Sequence, residues 1–130
     1  MRGAQGGLDR YSIAAGQIGR VIEDLRALAR GAMRAVSVED AVPPEAVQGI
    51  EELAVAVRAL KGYLEGDEPG EARSAATRAA ALANSVLEET GNLSALHIVG
   101  QIRMAAVDLL RATGLPRADA QAAVRSATLS

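Results

Sequence analysis

Cysteine, phenylalanine and tryptophan are absent from this chain of 130 residues, and Tyr11 and Tyr63 are its only aromatic side chains apart from His97. Lack of cysteine excludes a disulfide framework and thiolate chemistry and is neutral about compartment. Lack of large aromatics means that a core has to be built from Leu, Ile and Val layers separated by close alanine contacts. That composition favours helices, because alanine loses least on entering one. Strands would draw on more β-branched and aromatic residues. The chain reads as all-α, with a single domain over residues 8–127, a flexible start at 1–7 and a short tail at 128–130.

Long apolar runs are also missing. None approaches the roughly 20 residues that span a bilayer, and MRGAQGG carries one charge with no apolar stretch behind it, so no signal peptide is predicted. The expected setting is cytoplasmic. His97 is the only histidine; the carboxylate of Asp108, eleven residues on, is not at metal-ligand spacing. GDEPGE (66–71) lacks the Lys-Ser/Thr of a phosphate loop, and no serine sits in a nucleophile-elbow context. Glu51–Glu52 and Glu88–Glu89 are adjacent pairs, which do not converge on one point of a helix. No catalytic residue, metal ligand or cofactor is assigned, and the expectation is a protein that is not an enzyme.

What is present is arginine. Lys61 is the only lysine among 14 basic residues, against 16 acidic ones, for a net charge of −2. The balance is uneven: residues 1–37 carry a surplus of three positive charges, and residues 38–71 a deficit of seven. A basic first helix packing beside an acidic second one accounts for this. A cationic helix addressed to anionic lipid is the sharper reading. Nucleic acid is not an expected partner, because no aromatic residues interleave with the arginines to stack on bases.

Hydrophobic periodicity predicts four long helices and a short fifth. The first, about 8–36, carries an apolar stripe at Ile18, Val21, Ile22, Leu25, Leu28, Ala29, Ala32 and Val36; Gly16 and Gly19 should fray or bend its first part. Arg26, Arg30 and Arg34 align on one side at i, i+4 and i+8, as candidate anion or membrane-side contacts. After a loop at 37–44, paired prolines open the second helix, which runs to about Glu65 with a seam at Ala46, Ile50, Leu53, Val57, Leu60 and Leu64. Asp67 is a candidate N-cap for the third, about 68–89, whose face is mostly alanine and which Gly91 should stop. The fourth, about 93–113, is capped by Asn92 or Ser94 and ends at Gly114. Pro116 starts the fifth. Short connections make sequential helices antiparallel neighbours, so the fold expected is an up-and-down four-helix bundle with a small C-terminal helix.

The fourth helix carries the most informative polar residues. Ile98, Ile102, Ala105, Ala106 and Leu109 form its apolar centre. His97, Gln101, Met104 and Asp108 cluster opposite with Arg111 beside them, and Arg103 stands apart. Three readings remain open for Gln101, Arg103, Asp108 and Arg111. They form a solvated face with an Asp108–Arg111 pair, a polar network packed against helix 1 or a second subunit, or a ligand site.

Three stretches, LRALARGAMRAV (25–36), VPPEAVQGIEELAVAVRAL (42–60) and LSALHIVGQIRMAAVDLLRATGL (93–115), in this order and spacing, resemble the cytoplasmic C-terminal region of bacterial fusaric-acid-resistance-like, or aromatic acid exporter-like, membrane proteins. The VPPE junction and the pattern Gln101-x-Arg103-x4-Asp108-Leu109-Leu110-x-Ala112-Thr113-Gly114-Leu115 are the most specific parts. The resemblance implies a parent protein with a membrane portion, associated with efflux of organic acids, and a first helix that overhangs the bundle as a connector. Its partner would be that membrane portion or a self-associating subunit; the sequence leaves the oligomeric state open. The alternative is a stand-alone bundle that binds a partner protein or a small organic anion. The two make different predictions: an assembly domain has no sizeable pocket and turns Arg26, Arg30 and Arg34 to the acids of the second helix or to the membrane side, whereas an anion binder has an apolar cavity with convergent Arg or Gln groups.

Overall fold

The computed structural model describes residues 2–37 and 42–129, which form five α-helices with no strand among them. They are α1 (Arg2–Ser37), α2 (Pro44–Leu64), α3 (Gly70–Leu87), α4 (Leu93–Ala112) and α5 (Arg117–Ser126). Together they make the expected helical bundle with a short fifth helix.

α4 is its central element. It supplies Ile98, Val99, Ile102, Leu109 and Leu110, five of the seven largest fully buried side chains. Burial of each is worth roughly 1.5–3 kcal/mol, so the hydrophobic stabilisation is concentrated here. α4 packs against α1, α2, α3 and α5. By length and composition alone it also passes for a membrane-crossing helix, contrary to the sequence expectation that no stretch comes close. In the bundle, 44% of that stretch is buried against its four neighbours.

α3 turns Ala72, Ala75, Ala76, Ala79, Ala80, Ala81 and Ala83 inward, with Val86 the one larger buried residue. Side chains this short let α2 and α4 approach closely. The buried seam of α2 is Ala46, Gly49, Leu53, Ala56, Leu60 and Tyr63, not the predicted one: Gly49, Ala56 and Tyr63 replace Ile50, Val57 and Leu64. Close approach explains the shift. A Cβ at Gly49 would lie 3.3 Å from Ile102 Cδ1 and 3.5 Å from the Ala79 carbonyl oxygen, so the smallest residues occupy the narrowest line and Ile50 and Val57 flank it.

The helix ends are partly as the sequence suggests. α4 begins on Asn92, whose Oδ1 accepts from the Ala95 N–H at 3.0 Å. It ends in a Schellman motif: Gly114 is left-handed at φ 101°, and the Leu115 and Gly114 amides donate to the carbonyls of Leu110 and Arg111. Gly66, at φ 113°, closes α2 in the same way through the amides of Gly66 and Asp67. Asp67 is therefore not the N-cap of α3. Its amide is used by α2, and Pro69 takes the N-cap position. Nor does Gly91 stop α3, which has already ended at Leu87.

α1 differs most from expectation. It starts at Arg2 rather than near Leu8 and continues unbroken through Gly16 and Gly19, since extending an existing helix requires only one hydrogen bond per residue fixed. It packs along α4 and barely touches α2. The predicted pairing of a basic first helix with an acidic second one is thus corrected. Its buried line runs through Val21, Asp24, Leu28 and Gly31, while Ile22 and Ala29 of the predicted stripe are exposed. Residues 38–41 of the predicted loop lie outside the described residues.

Candidate functional site

Two polar ties hold the far ends of the bundle and so set the position of α5. Arg73 of α3 donates from Nε to Thr113 Oγ1 at 2.9 Å and from Nη2 to the Thr113 carbonyl at 2.8 Å. A guanidinium thereby meets the carbonyl end of α4, where the helix dipole favours a cation. Asn84, also on α3, donates from Nδ2 to the carbonyls of Val124 and Ala127 at 2.8 and 3.1 Å, fastening the C-terminal end of α5.

With α5 fixed there, an open groove of about 1010 Å³ lies between it, α1 and α4. Each wall is one helix face. α1 gives Gly16, Gly19, Arg20, Glu23 and Asp24; α4 gives Gly100, Arg103, Met104, Val107 and Asp108; α5 gives Arg117, Gln121, Val124 and Arg125. The α1 and α4 sets share the spacing i, i+3, i+4, i+7, i+8, that of a single helix face. The glycines keep the groove open, because a Cβ at Gly16, Gly19 or Gly100 would meet nothing within 4 Å.

The groove combines opposite charges at different depths. Asp24 and Asp108 are buried, at 7% and 9% exposure, and face each other within hydrogen-bonding reach. While both carboxyls are ionised neither has a proton to donate, and Asp24 Oδ2 then has no hydrogen-bond partner among the described residues. Burial first, then the hydrogen bond and the charge of Asp108, then Glu23, push the Asp24 carboxyl up from 3.8 to about 7, with Arg20 pulling the other way. Around this pair stand Arg20, Arg117 and Arg125, all exposed, and the half-buried Arg103. None of the four is in an ion pair; among the described residues that contact joins only Arg78 to Glu52, at 3.1 Å. Arg103 Nε is itself buried without an acceptor.

The structure divides the predicted site residues. Arg103 and Asp108 come together in the groove, although the helical wheel set Arg103 apart. Gln101 and Arg111 do not line it; Arg111 leaves its Nη1 buried and unpartnered, and the Asp108–Arg111 pair does not form. Of the three readings of this face, full solvation fails for Asp108, which is packed against α1. Arg26, Arg30 and Arg34 are exposed on α1 and take no part in the groove, nor do they pair with acids of α2. Asp24, Arg20, Arg117, Gln121 and Arg125 were not singled out from sequence. The available signal was the face Gly16, Gly19, Arg20, Glu23, Asp24, whose spacing repeats in Gly100, Arg103, Met104, Val107, Asp108. No group of three or more His, Cys, Asp or Glu suited to a metal occurs among the described residues. Compared with protein-family models, curated proteins and solved structures, the chain matches none of them.

Proposed function

We propose that this bundle is a non-catalytic binding domain whose groove between α1, α4 and α5 takes a small organic anion. The observation that carries this reading is the convergence of Arg20, Arg103, Arg117, Arg125 and Gln121 on one groove, with no carboxylate among the described residues in an ion pair with any of these arginines. Guanidinium groups bind carboxylates through charge-assisted, often paired hydrogen bonds. Met104, Val107 and Val124 supply apolar wall for the body of such a ligand. Titration with benzoate and hexanoate, followed by amide chemical shifts, tests it. Shifts centred on α4 and α5 that disappear in Arg103→Gln/Arg117→Gln support the reading. Absence of binding by both probes at millimolar concentration overturns it.

For the setting, we propose a cytoplasmic regulatory or assembly role within a transporter-like membrane protein of organic acid efflux, as the resemblance of residues 25–36, 42–60 and 93–115 implies. The specific observation in its favour is the length of α1. Its 36 residues span about 54 Å, against about 30 Å for the 20 of α4, so it extends well past the helix on which it packs. An antibody to this domain, applied to separated fractions of the source cell, tests the setting. A membrane-bound band well above 13.4 kDa supports it, and a soluble band near that mass overturns it while leaving the groove reading intact.

A further inference from the structure

The groove has unmet bonding capacity of two kinds. At its floor, Asp24 Oδ2 is, when both carboxyls are ionised, a buried acceptor without a donor among the described residues, and in its wall Arg103 Nε is a buried donor without an acceptor there. Leaving a buried polar group without a hydrogen-bond partner is costly, more so if it is charged, so a ligand that meets both recovers more than one that meets either. A simple anion meets only the second. It would also sit near Glu23, Asp24 and Asp108, whose charges oppose it. A simple cation meets only the first and is opposed by Arg20, Arg103, Arg117 and Arg125.

Resting on the binding reading above, we propose that the ligand is a small zwitterion with an apolar body, of the amino-acid type. Its ammonium bridges the Asp24 and Asp108 carboxyls from the groove side, and its carboxylate lies on Arg103 with Arg117 or Arg125. An ammonium has three N–H donors, enough to bridge carboxyls presented by two different helices and to relieve their mutual repulsion. The carboxylate end matches the fork of a guanidinium. The apolar remainder runs along Met104, Val107 and Val124, over the open floor left by Gly16, Gly19 and Gly100.

The test uses three matched sets of probes: leucine, methionine and phenylalanine; the amines that lack their carboxylate; and the acids that lack their amine. Binding is read from amide chemical shifts at pH 7.5. The expected result is that at least one amino acid binds ten or more times tighter than its amine and its acid. Asp24→Asn and Arg103→Gln each remove that preference. Asp24→Asn takes away one of two facing like charges, so it is expected to remain folded. Gly100→Leu, which places a side chain in open space, abolishes binding while leaving the melting temperature unchanged or raised. Acids that bind as tightly as the amino acids, with no effect of Asp24→Asn, overturn the zwitterion and leave the anion site standing. Amines that bind as tightly as the amino acids, with no effect of Arg103→Gln, overturn it as well. No binding by any of the three sets overturns both the zwitterion and the anion site.

Discussion

Asp24 on α1 and Asp108 on α4 present their carboxyl groups to each other inside the helix–helix contact, 7% and 9% exposed. The seam of α1 thus has an ionisable residue where Val21 and Leu28 on either side are apolar. The contact between α1 and α4 buries the Asp24 carboxyl, whose pKa burial and Asp108 raise to about 7.

A pH dependence of stability is the first consequence. The Asp24 carboxyl is raised from 3.8 to about 7 by burial and by Asp108, so between these values the folded chain holds a proton that the unfolded chain has lost. Its stabilising contribution is complete below pH 4 and is lost as the pH rises through about 7. Asp24→Asn removes this titration. Urea unfolding at pH 4.5, 6 and 7.5 should show the variant gaining on the wild type with rising pH, by on the order of 2–4 kcal/mol over the window. A difference that stays constant with pH would contradict the raised pKa of Asp24.

Arg73→Ala should lower stability by about 2 kcal/mol. It removes two part-buried hydrogen bonds from a charged donor at the carbonyl end of α4, a kind whose net worth is roughly 1.5–3 kcal/mol each when fully made and less where water can replace them. Thr113→Val loses only the contact to Oγ1 and the bond from that hydroxyl to the Leu110 carbonyl. A double-mutant cycle on the pair should give a coupling of about 1 kcal/mol.

Asn84→Ala should loosen α5 more than the rest of the bundle. The amide group fastens two carbonyls at the end of a ten-residue helix, too short to be stable without tertiary support. Hydrogen exchange should accelerate over 117–126, with α2 and α3 unaffected. Because α5 carries one wall of the groove, ligand binding should weaken in parallel.

Glycine substitutions should divide by location. Gly19→Ala and Gly100→Ala add a methyl group where nothing lies within 4 Å, and should each stabilise by up to about 1 kcal/mol through helix propensity alone. Gly49→Leu forces a side chain onto Ile102 and the Ala79 carbonyl and should cost several kcal/mol by overpacking. Thermal denaturation of the three variants checks the sign of each.

The helices themselves were legible in the sequence, because their apolar periods are long and their ends carry chemistry that acts locally. Asn92 and the Gly114–Leu115 turn are examples. The buried face of α4 was equally plain, since Ile98, Ile102 and Leu109 recur at helical spacing with nothing polar between them on that face. α1 was harder to read. Its stripe places Ile22 inward by hydrophobicity, whereas packing against α4 selects the line through Asp24 and Gly31, and an acid on a seam looks like a solvated residue until its neighbour is known. The seam of α2 was missed for a related reason: size, not hydrophobicity, decides which residues occupy the narrowest line. Contacts such as Arg73 with Thr113, forty positions apart, leave no trace in local pattern, and neither does the meeting of three helix faces around the groove.

The alanine surface of α3 makes the tolerance of this core one-sided. A leucine-rich interior is damaged chiefly by truncation, which opens voids. On this face of α3 there is little left to truncate, and most changes add volume where α2 and α4 pack against it. In a library of random single substitutions, positions 72, 75, 76, 79, 80 and 83 would yield survivors almost only as glycine or serine. The narrowness of the bundle is thus held by what its side chains lack, and a single added methyl or two at these sites would push whole helices apart.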